Sequence, residues 1–204
     1  SFFHPEELDV KTKAWLRHYF EEQIYPVVTP LAVDSGHPFP FLANNTINAI
    51  VRIFQVQPDG TKDYKIAILP IPSVLDRIIE VPSSSNKVHR FVYLEDVISY
   101  YAIQFFQGYG IEESMIFRLT RDADLEIDEE DAKDLLTEVE ASLRRRRRGD
   151  AVRLEVVGAG SHELLRTVLA SVELEEKDVY HIDGHLDCRM YFDFSNYPGY
   201  DNLR

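Results

Sequence analysis

Arginine is the residue type whose placement most invites chemistry in this sequence. Arg144, Arg145, Arg146, Arg147 and Arg148 stand in one run. Guanidinium forks packed into about a turn and a half of helix can grip phosphates bidentately. The same run suits the last turn of a helix, where cations complement the dipole and Glu140 can pair with Arg144 at i,i+4. The residues leave both readings open. Arg118 and Arg121 flank Thr120 as a second, smaller basic point that can reach an anion. On a strand, Arg118 and Thr120 share one face and Arg121 takes the other.

Other constellations are weaker. Asp122, Asp124, Glu126 and Asp128 occupy positions one, three, five and seven of a calcium loop. However, Ile127 stands where that loop needs Gly, and Lys133 where it needs a bidentate Glu, so an edge strand leading into an acidic helix start is preferred. His181, His185 and Cys188 have a spacing that metals use, but no fourth ligand is evident and Gly184 implies a turn between the histidines. A packing role is preferred for these three, with Asp183 or Asp187 as the local carboxylate that would orient His185. No Walker loop, dinucleotide fingerprint, H-E-x-x-H or G-x-S-x-G is present, so the sequence names no complete active site and no catalytic residue.

These residues sit in a chain of 204 with 45% hydrophobic content, enough for a packed core and too much for disorder. Thirty-five acidic against 22 basic residues give a formal charge of -13, which disfavours nucleic-acid binding through a broad basic face. Any polyanion must then be met by a local patch. A single cysteine, Cys188, makes no internal disulfide and fits a reducing compartment. No stretch approaches the roughly 18 apolar residues of a membrane helix. The chain opens at Ser1 with neither an initiator Met nor a signal-peptide pattern, and reads as an excised piece.

The elements that must position the arginines follow from periodicity. A helix is predicted from Pro5, with Leu8, Trp15, Leu16, Tyr19, Phe20 and Ile24 on its dry face and Pro26 and Pro30 stopping it. The proline-rich stretch 29–42 predicts an ordered, aromatic-anchored loop. Residues 47–56 and 64–70 predict a hairpin turning at Pro58, Asp59, Gly60 and Thr61. A loop at 83–86, a strand at 89–93, a helix at 94–106 closed by Gly108 and Gly110, and a strand at 115–119 follow. The best-specified helix begins at Asp128 and ends with the arginine run and Gly149. A strand at 152–157, a helix at 162–172 and a strand at 179–182 complete the pattern. Strands and helices intersperse without regular βαβ alternation, so the fold class is α+β: a mixed β-sheet covered by helices, in a single domain over 1–204.

Six blocks of sequence, in order, resemble the middle (head) domain of bacterial polyphosphate kinase. They are 15–20, 26–42 with its His37-Pro38-Phe39-Pro40-Phe41-Leu42, 118–124, 140–143 with the arginines, 152–155 and 193–198. The resemblance implies an enzyme that moves the terminal phosphate of ATP reversibly onto inorganic polyphosphate through a phosphohistidine, with magnesium. It further implies four domains, with the catalytic histidines in two C-terminal ones and an N-terminal one that helps hold adenine. The middle domain would contribute to subunit association and help wall the polyphosphate tunnel. His181 and His185 do not match the family's nucleophile motif, so no catalytic role passes to them.

On this reading the chain alone binds no cofactor, ATP and Mg belonging to the full-length enzyme, and has no kinase activity. Its partners are the remaining N-terminal and C-terminal domains, polyphosphate, and a second subunit of a homo-oligomer. The location is cytoplasmic, with membrane association open to the full-length enzyme. Polyphosphate is expected at Arg118, Arg121 and Arg144 to Arg148. The competing reading is a free-standing anion- or protein-binding module that uses the arginine run. Twelve Phe, eleven Tyr and one Trp, crowded into irregular segments, add the expectation of an apolar association surface that includes Tyr191, Phe192, Phe194, Tyr197 and Tyr200.

Overall fold

The protein is described by a computed structural model that covers residues 1–83, 88–122 and 149–194. The helix expected to follow Asp128, the five-arginine run, the loop at 83–86 beyond Ser83 and the tail aromatics Tyr197 and Tyr200 lie outside the described residues.

The sheet grows from the predicted hairpin. Strand β1 (Leu31–Val33) pairs antiparallel with β3 (Lys62–Pro70), and β3 with β2 (Ile47–Val56). At the hairpin turn Gly60 takes φ +84°, and Asp59 Oδ1 accepts the Thr61 amide at 2.9 Å. Residues 29–42 were expected to form a loop throughout. Instead they contribute β1, an edge strand short enough to fit between Pro30 and Pro38.

A separate two-stranded sheet pairs β4 (Ile78–Val81) with β5 (Arg90–Tyr93), and Phe2 bridges to Phe91 beside it. The periodicity did not predict β4. Helix α2 (Leu94–Tyr100) follows β5 directly. The expected single helix over 94–106 breaks at Tyr101 into α2 and a one-turn 3₁₀ helix, Ala102–Phe105, as the Tyr101 ring packs 4.8 Å from that of Phe20.

Gly110 does not close a helix but opens β6 (Gly110–Arg121), much longer than the predicted strand. It lies opposite Phe54, and a Cβ there would stand 2.5 Å from the ring, so any larger residue would have to displace that ring. β6 pairs with β7 (Ala151–Val157), and helix α3 (His162–Val172) carries the chain back to β8 (Val179–Ile182), parallel to β7. The sheet order is therefore β1-β3-β2-β6-β7-β8, antiparallel except for its last pair. The mixed sheet and its covering helices are the α+β architecture read from the sequence.

Strand alternation sends side chains into two cores. Ala49, Val51, Ile53, Ala67 and Leu69 join one, with α1 (Val10–Tyr19), α2 and the β4–β5 pair. Ile50, Ile68, Phe117, Leu119, Leu154 and Val156 join the other, under Leu164 and Val168 of α3. The central strands are thus covered on both faces.

The first helix differs from its prediction. Pro5–Glu7 is a separate 3₁₀ turn, Leu8 is extended, and Asp9 caps α1 by accepting the Thr12 amide at 2.9 Å. Beyond Tyr19 the helix widens into a π turn, Phe20–Ile24. Leu16, Phe20 and Ile24 are all fully buried at four-residue spacing, which drifts from a 3.6-residue repeat, and the wider turn takes up that drift. A short helix, α4 (Met190–Phe194), ends the described chain. No helix among the described residues is long and apolar enough to cross a membrane.

Candidate functional site

The site forms where β6 and β7 run side by side and the segment after β8 folds over them. Phe117, Leu119, Leu154 and Val156 point into the α3 core, so alternation turns Arg118, Arg153 and Glu155 to the opposite face. Arg118 and Glu155 are register partners. Arg118 Nε donates to Glu155 Oε2 at 2.6 Å, and Arg153 Nη2 lies 2.9 Å from Oε1. Glu155 is buried between two guanidiniums, and Arg153 also lies over the Tyr180 ring at 4.1 Å.

The overlying segment adds an acid and a base. Asp187 Oδ2 is 3.4 Å from Arg118 Nη1, and both its oxygens accept from the Arg189 fork, at 2.7 and 2.5 Å. Those Arg189 hydrogen bonds hold the Asp187 carboxyl down at about 2 against the opposing effect of burial, with Arg118 helping. Three guanidiniums, Arg118, Arg153 and Arg189, face two carboxylates, Glu155 and Asp187, so the cluster has one positive charge in excess. Arg118, Arg189, Glu155 and Asp187 of this cluster line a cleft of about 560 Å³ with Asn45, Cys188 and Phe192, and their charges balance; Arg153 stands outside it.

Buried contacts fix the segment in place. Arg77 donates to Glu95 from Nε at 3.0 Å and from Nη2 at 2.5 Å, to the Asp187 carbonyl at 2.6 Å, and to the Leu186 carbonyl. The Glu95 side chain is 1% exposed, so the carboxylate of this pair is out of water, while Arg77 is 17% exposed. His185 stacks on Tyr93 with ring centroids 3.5 Å apart and meets Asp96 Oδ2 at 2.8 Å, where His4 also lies within 3.2 Å. Tyr93 and Tyr191 share a hydroxyl contact of 2.6 Å, and burial, with that contact second, pushes the Tyr93 phenol well above its usual range.

Of the seven arginines expected to meet anions, the two among the described residues, Arg118 and Arg121, lie in different clefts. Arg121 follows a register shift in β6, donates to the Leu42 carbonyl at 2.8 Å and the Gly149 carbonyl at 2.9 Å, and covers the Phe41 ring at 4.5 Å. Burial lowers its pKa from the ordinary value. Its cleft, about 600 Å³, is bordered by Phe39, Phe41, Asp150 and Glu173.

His185 is oriented by Asp96, not by Asp183 or Asp187 as expected from proximity in sequence. His181 meets the Gly158 carbonyl at 3.0 Å and Cys188 is exposed. Among the described residues no group of three or more His, Cys, Asp or Glu is arranged to hold a metal ion. Sequence reasoning missed Arg77, Glu95, Asp96, Glu155 and Arg189. Only the short Asp187–Arg189 spacing offered a local signal.

A mixed sheet covered by helices, with arginines at two separate clefts, is the architecture against which known proteins were compared. Comparison with known families matches residues 11–194 to the family described as polyphosphate kinase middle domain. Polyphosphate kinase of Halalkalibacterium halodurans is 41% identical over 192 residues, covering 94% of this chain and 27% of that protein. The Pseudomonas putida polyphosphate kinase is 36% identical over 195 residues, covering 95% and 27%. The solved polyphosphate kinase of Porphyromonas gingivalis superposes with a TM-score of 0.67 at 23% identity, over 87% of this chain and 24% of that one, a likeness of fold. The chain belongs to the polyphosphate kinase middle-domain family, and spans about a quarter of the length of the curated relatives it matches.

Proposed function

We propose that this chain is the non-catalytic middle domain of a reversible ATP:polyphosphate phosphotransferase, and that it contributes a tunnel wall and subunit contacts. The observation that carries the wall is the Arg118 cleft, where the Arg118 and Arg189 guanidiniums stand together at an open pocket in a chain whose formal charge is -13. Phosphate oxygens fit guanidinium forks bidentately. Arg121 and the run from Arg144 to Arg148 are further candidate phosphate contacts in this reading. Transfer through a phosphohistidine, with ATP and magnesium, is assigned to the rest of the enzyme, so no step is placed on this chain's residues. Subunit contact draws support from Tyr191 and Phe192, exposed beside the cleft at 43% and 78%. The greater length of the relatives favours a domain of an enzyme over a free-standing binding module.

Titration of the 204-residue chain with long-chain polyphosphate and with ATP, at two salt concentrations, tests this reading. Polyphosphate binding that falls steeply with salt, and no ATP-dependent polyphosphate synthesis, are the expected results. Synthesis by the chain alone, or affinity indifferent to both salt and Arg118→Gln, overturns it.

A further inference from the structure

The Arg118 cleft already contains an anion, and the chain supplies it. The Asp187 carboxylate is bidentate to Arg189 and reaches toward Arg118, but its 3.4 Å separation from Arg118 Nη1 is longer than a good charge-assisted hydrogen bond. Asp187 also adopts φ +54°, a left-handed conformation that Asp tolerates and most residues do not. That backbone is imposed from outside. Arg77 holds the carbonyls of Leu186 and Asp187, while Asp96 and Tyr93 hold His185. The carboxylate is therefore delivered to the arginines by buried anchors, and its own contact with Arg118 is the loosest in the cluster.

Resting on the anion-cleft reading above, we propose that Asp187 is an internal stand-in for a phosphoryl oxygen: it occupies the place between Arg118 and Arg189 and yields it to a polyphosphate chain. A tethered carboxylate competes at high effective concentration. A ligand must offer several oxygens at once to displace it, as a polyphosphate chain does. Displacement swaps one set of charge-assisted contacts for another and leaves the segment anchored by Arg77.

The test compares wild type with Asp187→Asn, Asp187→Gly and Arg118→Gln by calorimetric titration of long-chain polyphosphate at fixed salt. Asn and Gly both tolerate the left-handed backbone, so two variants guard against a folding defect in either, which circular dichroism checks. Removing the competitor is expected to tighten polyphosphate binding about tenfold in both variants, while Arg118→Gln weakens it by about the same factor. If both Asp187 variants bind like wild type while Arg118→Gln loses affinity, the stand-in idea is overturned and the anion cleft survives. If none of the three changes the affinity, the cleft reading falls with it.

Discussion

Arg77 and Arg118 both reach the segment that follows β8, yet their surroundings differ in kind. Arg77 is locked against a carboxylate with 1% exposure and spends its remaining donors on two backbone carbonyls and the Met190 sulfur. Arg118 shares its carboxylates with Arg153 and Arg189 at the rim of an open cleft. A buried carboxylate with a single guanidinium partner is left uncompensated when that partner is lost. A shared and partly wet network redistributes its contacts. The first arrangement suits a fixed joint, and the second an exchangeable binding surface.

The comparison is sharpest in stability. Arg77→Ala strands the Glu95 carboxylate in the core and frees the 185–190 segment, so a loss of about 3–5 kcal/mol is expected in urea unfolding. Arg118→Gln leaves Glu155 with Arg153 and Asp187 with Arg189, and roughly 1–2 kcal/mol is expected from the same measurement. Equal losses for the two variants would erase the distinction between joint and surface.

How far the sequence foretold this arrangement depends on how far apart its partners lie along the chain. The hairpin β2–β3, the helix α3 and the strand β8 rest on local signals, namely β-branched runs, turn residues and four-residue apolar spacing. Arg118 was singled out because Thr120 and Arg121 stand beside it. Glu155, Asp96 and Glu95 were not, because each meets its partner across 18 to 89 residues and no local period encodes that. Proximity in sequence even misled, since it nominated Asp183 or Asp187 for His185 where α2 supplies Asp96. Strand β4 was missed because four residues after a proline-rich loop carry too short a pattern. The break at Tyr101 is a packing decision made by Phe20, again distant in sequence.

The smallest expected effect is an acid-side signature of the cleft. Arg189 hydrogen bonds, opposed by burial and aided by Arg118, depress the Asp187 carboxyl from 3.8 to about 2 in the folded chain. A carboxyl depressed on folding stabilises the native state fully above its unfolded value, and that stabilisation fades as pH falls through the folded one. The window therefore runs from about pH 4 down to about pH 2, and stability falls with pH across it. Because Asp187 faces an open cleft and its Arg189 partner is exposed, screening reduces the contribution to about 1 kcal/mol. The site-specific readout is the Asp187 carboxyl carbon shift followed by NMR as the acid is added. Arg189→Gln is expected to raise that midpoint toward 3.8, with Arg77→Lys leaving it nearer its wild-type position if the segment stays docked. A wild-type midpoint at the ordinary carboxylate value would show that Asp187 stands free of both guanidiniums. The cleft would then lack the internal anion that sets it apart from the Arg77 joint.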